Sequence, residues 1–192
     1  EEVITKSPTT VVAACEEIKN AKIIQSIFSN KYFRIYSNND IIGVELGGAI
    51  KNVIAIASGI CKGLGYADNT ISALLTRGLQ EIIRLGVALG AKKETFSGLS
   101  GIGDLIVTAT SKFSRNRFVG EQIAKGVDLI IITNKLKMVA EGIDTSKSIF
   151  KLKNIHNVNM PICEEVYNIL FNRKSPNKAI LELMTRPLIN EN

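Results

Sequence analysis

A lysine inside an otherwise apolar helix is a candidate proton carrier, and Lys51 occupies such a place. Helical spacing puts it on one face with Val44, Gly48, Ala55 and Gly59, three and four residues apart. These neighbours are small enough for a ligand or another backbone to approach the amine closely. Burial disfavours the charged form of an amine and so favours proton exchange near neutral pH. The plainer account is a buried stem whose head snorkels to water. The helix has no polar face to snorkel along, however, and Asn52 adds a second polar group beside the lysine.

Two further clusters carry chemistry-bearing side chains. The run Gly98-Leu99-Ser100-Gly101-Ile102-Gly103-Asp104 superficially resembles a dinucleotide fingerprint, but no strand leads into it and its spacing differs. Read as a helix entry, it places Asp104 and Thr108 one turn apart on one face. Asp104 then either caps that helix or, held near Lys51, orients the ammonium and accepts a substrate hydroxyl. The second cluster, Ser111–Arg117, leads into the helical stretch Phe118–Lys125. A hydroxyl, a guanidinium and an amide at a helix start make an anion site, because unpaired N–H groups and the helix dipole point outward. A solvated basic turn is the alternative. His156 lies among Asn154, Asn157 and Asn159 with no evident partner and reads as surface.

The elements that would position these groups are mostly helical. Thr9–Ala14 and Phe33–Tyr36 read as strands, the second closed by the turn Ser37-Asn38-Asn39-Asp40. Between them Glu16–Phe28 has helical spacing, with Ile18, Ala21, Ile24 or Gln25, and Phe28 on one side. Residues 1–40 are therefore expected to be the remnant of an α/β, Rossmann-like dinucleotide-binding domain, too small to be stable alone. Residues 41–192 are expected to form an all-helical domain for substrate binding and catalysis. Val44–Lys62 is apolar or small nearly all round, as a central helix covered on every side must be. Asp68 is the expected N-cap of the next helix, which stops at Gly90. Its stripe is Ile71, Leu74, Leu75, Leu79, Ile82, Leu85 and Leu89, with Thr76, Gln80, Glu81 and Arg84 on the other face. Pro161 and Pro176 open two later helices, the second after the cap Ser175.

Composition narrows the function classes. The 192 residues carry a net charge of +6, which suits an anionic ligand. The basic residues are dispersed, which favours a small phosphorylated molecule or dinucleotide over nucleic acid. Cys15, Cys61 and Cys163 are far apart, no C-x-x-C occurs and there is one histidine, so no zinc ligand set exists and no metal is expected. Three unpaired thiols fit a reducing cytoplasm. Residues 41–60 are apolar, but Glu45, Lys51 and Asn52 argue for a buried helix and against a membrane span. The opening Glu1-Glu2-Val3-Ile4 lacks a signal-peptide layout and reads as the interior of a longer chain.

Several long, collinear motifs resemble one family, the bacterial-type NAD(P)-dependent glycerol-3-phosphate dehydrogenases. They are Gly43-Val44-Glu45-Leu46-Gly47-Gly48-Ala49-Ile50-Lys51-Asn52-Val53, Leu75-Thr76-Arg77-Gly78-Leu79, Gly98–Asp104, Ser114-Arg115-Asn116-Arg117 and Ala140-Glu141-Gly142. The closing Leu183-Met184-Thr185-Arg186-Pro187-Leu188 is also similar, as are Pro8-Thr9-Thr10-Val11-Val12 and Tyr32-Phe33-Arg34 near the start. The resemblance implies a mainly α fold, a helical bundle of the 6-phosphogluconate dehydrogenase C-terminal type after a partial Rossmann-like unit. It implies an oxidoreductase that interconverts glycerol 3-phosphate and dihydroxyacetone phosphate with NAD or NADP, in the cytoplasm, for phospholipid synthesis. Lys51 is then the proton acceptor, and Lys51, Asp104, Ser114, Arg115 and Asn116 bind substrate. Arg115, Val139 and Glu141 touch the cofactor. A homodimer is left open. The family's Gly-rich phosphate turn and a substrate-contacting lysine lie upstream of Glu1, so the expectation is a proton-transfer half-site, inactive alone. Two rivals stand beside this reading. Hydroxyacid and ketopantoate reductases also use a helical lysine, but lack the Ser114-Arg115-Asn116 phosphate site. A non-catalytic helical interaction module would show no coherent pocket around Lys51.

Overall fold

The computed structural model describes residues 3–136, 138–188 and 190. Glu1 and Glu2 of the opening run, Lys137, Ile189 and the terminal Glu191 and Asn192 lie outside the described residues. The chain begins with a parallel β–α–β unit made of β1 (Thr9–Ala14), α1 (Ile18–Phe28) and β2 (Phe33–Asn38). Thr9 pairs with Phe33 and Ala14 with Asn38, so Ser37 and Asn38 extend the strand expected to have ended at Tyr36. α1 meets this narrow sheet through Ala21, which is buried, and through Gln25, whose Nε2 donates to the Ile35 carbonyl at 2.7 Å. Ile18, Ile24 and Phe28 stay exposed, because two strands cannot cover the whole apolar side of the helix.

Every regular element described after β2 is helical. Asp40 caps α2 (Ile41–Gly63), accepting from Gly43 N at 2.9 Å, from Lys92 N at 2.8 Å and from the Thr95 hydroxyl at 2.6 Å. Burial works to raise the Asp40 pKa, but the bonds from Thr95, Gly43 and Lys92 outweigh it and hold the group below its ordinary value. The carboxylate thus ties the start of the central helix to the loop that leads toward Asp104. α2 packs against α3 (Asp68–Ala88), α4 (Asp104–Thr110), α5 (Arg115–Ala124), α7 (Gly142–Ile155) and α8 (Pro161–Phe171). From Ile50 to Cys61 every residue is buried except Lys51. By length and composition α2 is apolar enough to cross a membrane, but 56% of its most apolar window lies inside the fold, as the core helix of a bundle requires. α6 (Leu129–Lys135) and α9 (Pro176–Met184) complete the domain.

Two local expectations are corrected. Asp68 does not cap α3; Ala67 is the cap residue, and Asp68 sits in the first turn. There its charge faces the positive end of the helix dipole. Glu81, expected on the polar face of α3, is only 1% exposed. Its two oxygens accept from Ile162 N at 2.7 Å and Cys163 N at 3.0 Å, closing the N-terminus of α8 behind Pro161. Burial raises the Glu81 pKa, opposed by those two bonds and by the nearby Arg84 charge. Gly90, at φ +92°, ends α3 as read from sequence, and Ser175 caps α9 by accepting from Lys178 N at 3.3 Å.

Candidate active site

Lys51 is brought to a carboxylate by the close approach of a loop to α2. Gly47 lies against the Ser100 carbonyl, and a Cβ there would collide with it. The loop passes in a single π-helical turn, Leu99–Gly103, and delivers Asp104 as the first residue of α4. Asp104 makes no capping bond. Instead the Lys51 ammonium donates to its Oδ2, with the two side chains 18% and 32% exposed. Thr108, one turn on, donates its hydroxyl to Asp104 Oδ1 at 3.4 Å. The amine is therefore oriented by a carboxylate and still reaches solvent.

A second close approach brings α5 against α2 further along, beyond Lys51. Gly59 meets the Arg117 carbonyl and Gly120 the Ile56 carbonyl, contacts that exclude any side chain at either glycine. The crossing lets Asn116 Nδ2 donate to Asn52 Oδ1 at 2.9 Å, both residues being buried. Asn116 Oδ1 accepts from Gly142 N at 2.9 Å, and Asn52 Nδ2 faces Glu141 Oε2 and the Gly48 carbonyl, each at 3.3 Å. Buried amides whose donors and acceptors are satisfied define one arrangement of the helices. Ser114 caps α5 by accepting from Arg117 N at 3.3 Å. Arg117 turns away to the Thr110 carbonyl and to Glu121 at 2.6 Å. Arg115 stays on the open side, where its Nη1 donates to the Val139 carbonyl at 2.7 Å.

Between these helices lies a cavity of about 330 Å³ whose wall includes Gly48, Lys51, Thr108, Ser114, Arg115 and Asn116. Asn52 and Glu141 also face it. Asp104 does not form part of the wall; it acts on the cavity through Lys51. Val139 is not part of the wall; it is 68% exposed and meets Arg115 through its carbonyl. Another cavity, of about 390 Å³, lies between α3 and α4, but its wall is mainly apolar and Asp68 is its one charged residue. His156 ends α7 on the surface, away from both. Among the described residues no group of His, Cys, Asp and Glu is placed to hold a metal ion.

Comparison with known proteins matches residues 40–181 to the family model described as the C-terminus of NAD-dependent glycerol-3-phosphate dehydrogenase. The chain belongs to this family. It is 52% identical over 192 residues to a glycerol-3-phosphate dehydrogenase (NAD(P)+) of Salinibacter ruber, and 53% identical over 186 residues to one of Chlorobium phaeobacteroides. All of this chain is covered in the first match and 97% in the second, against 56% of each relative, so it spans little more than half their length. The crystal structure of glycerol-3-phosphate dehydrogenase from Coxiella burnetii superposes with a TM-score of 0.92 at 38% identity, over 96% of this chain and 57% of that one.

The relatives' names carry NAD(P)+, and three exposed groups near the cavity are candidates to meet such a molecule. Arg115 offers an exposed guanidinium at the mouth, Val139 an exposed apolar side chain, and Glu141 an exposed carboxylate. The turn from β1 to α1 does not fit its phosphates. That turn reads Cys15-Glu16-Glu17, with two carboxylates and no glycine, where a pyrophosphate needs close backbone approach at a helix N-terminus. The Asn52–Asn116 bridge was not foreseen from the sequence. Both amides were visible there, but a pair 64 positions apart gives no local signal.

Proposed function

We propose that the full-length protein interconverts glycerol 3-phosphate and dihydroxyacetone phosphate with NAD or NADP, and that this chain supplies the substrate pocket and the proton carrier. One observation carries the reading: Lys51, oriented by Asp104, shares a cavity with Ser114, Arg115 and Asn116. An amine beside a guanidinium and a helix N-terminus matches a small molecule with an alcohol at one position and a phosphate at another. The rival interaction module predicts no such pocket, and the Ser114-Arg115-Asn116 cluster disfavours a non-phosphorylated hydroxyacid.

In this mechanism the phosphate lies toward Arg115 and the α5 N-terminus, which fixes the three-carbon skeleton. The C2 hydroxyl then faces Lys51. In oxidation, neutral Lys51 accepts the hydroxyl proton as the carbonyl forms; in reduction, the ammonium returns it to the ketone oxygen. Asp104 aims the amine and balances its positive charge when protonated. Asn52 and Asn116 hold α2 and α5 at the spacing the substrate spans. A nicotinamide cofactor, when bound, would supply the hydride chemistry at C2. Arg115, Val139 and Glu141 would hold its edge. Free Cys15, Cys61 and Cys163 suit a reducing cytoplasm, and burial pushes the Cys61 thiol up to about 11, which keeps it inert. The product would supply the glycerol phosphate of phospholipids.

The test uses purified full-length protein with glycerol 3-phosphate and each oxidised dinucleotide, followed by absorbance of the reduced cofactor. The expected result is turnover that depends on the phosphate group. No reduction with either dinucleotide would contradict the proposal.

A further inference from the structure

Of the five glycines in α2, four are explained by packing. Added Cβ atoms would meet the Asp40 carboxylate at Gly43, the Ser100 carbonyl at Gly47, the Arg117 carbonyl at Gly59 and the Ala124 methyl at Gly63. Gly48 is different: a Cβ there would have no protein atom within 4 Å. Its φ is not positive either, so the backbone does not require glycine. Glycine is the least favourable ordinary residue in a helix interior, and among the described residues no neighbour or backbone angle requires it at this position.

What Gly48 faces is the cavity that holds Lys51. The two residues are three apart on one helix face, and Cα–Cβ bonds in a helix tilt toward its N-terminus. The Lys51 stem therefore leans over the turn that contains Gly48. Thr108, Ser114, Arg115 and Asn116 stand elsewhere around the same space. Resting on the proposed function, we infer that Gly48 is a specificity-determining position: it leaves room for the carbon skeleton of glycerol phosphate to lie against the α2 backbone with its C2 hydroxyl at Lys51. A methyl at this point fills the place of the substrate and meets no neighbouring element among the described residues.

Gly48→Ala in the full-length enzyme separates this from a structural role. Removing a helical glycine without a clash leaves the melting temperature equal to or above that of the wild type. Fit differences of about one carbon in a pocket change kcat/KM roughly 10–200-fold, so kcat/KM for glycerol 3-phosphate is expected to fall at least fivefold. A fall of less than fivefold, or a melting temperature below that of the wild type, would overturn the inference while leaving the proposed function standing. Absence of turnover in the wild-type enzyme itself would overturn the proposed function, and this inference with it.

Discussion

Arg115 is the residue whose role is easiest to separate from general folding. It begins α5, its head is exposed, and its guanidinium donates to the Val139 carbonyl. Losing a charge-assisted anchor typically costs about 1.5–3 kcal/mol. Arg115→Ala in the full-length enzyme is therefore expected to raise KM for glycerol 3-phosphate by roughly 10- to 100-fold. Glycerol without its phosphate should be affected far less in the same steady-state assay, and equal penalties on both would take Arg115 out of the substrate site. Single residues were legible to the degree that their surroundings were. Lys51 stood out because the residues a turn to either side on its face of the helix, Gly48 and Ala55, are small and apolar. Glu81 was misplaced because its partners, Ile162 N and Cys163 N, are 81 and 82 positions away. Nothing nearby in the sequence marks it as a buried cap.

The site depends on how closely the Leu99–Gly103 turn and α5 approach α2, and at each a glycine meets a backbone carbonyl. Gly120→Ala would drive a methyl into the Ile56 carbonyl and push α5 from α2. Such overpacking typically costs about 1–3 kcal/mol, so the urea midpoint should fall and the Asn52–Asn116 bond should be strained with it. An unchanged midpoint would mean that the helices are free to move apart. The loop before α4 is held differently, by Asp40. Asp40→Ala leaves the Gly43 and Lys92 amides and the Thr95 hydroxyl without their acceptor, a loss of about 2–4 kcal/mol. Since the Asp40 pKa lies below its ordinary value in the folded protein, its contribution is complete above the unfolded pKa and disappears as pH falls through the folded one. The stability gap between wild type and variant should therefore stay constant from pH 7 to 5 and narrow only below about pH 4. A gap that narrows between pH 7 and 5 would assign it to another group. Elements were more legible than their ends. An apolar surface on all sides marked α2, whereas the start of α3 shifted by one residue because Ala67, and not Asp68, takes the extended cap conformation.

At the scale of the molecule, the mainly helical fold and the β–α–β unit at its start were both readable from periodicity. The contacts between helices were not, because they depend on which glycines meet which backbones. This chain spans 56% of the length of the two relatives named above, and in the proposed reaction the proton step falls to residues in view. That assignment makes Lys51 the point at which the account is most exposed. Lys51→Met keeps the length and apolar stem of the side chain but removes its proton-carrying nitrogen. It also leaves Asp104 without its ion pair, so folding is checked first by circular dichroism. The decisive measurement is kcat for glycerol 3-phosphate oxidation by the full-length enzyme, wild type against Lys51→Met, at saturating substrate and cofactor. The account predicts a fall of roughly 100-fold or more in the folded variant, and near-normal turnover by that variant would contradict it.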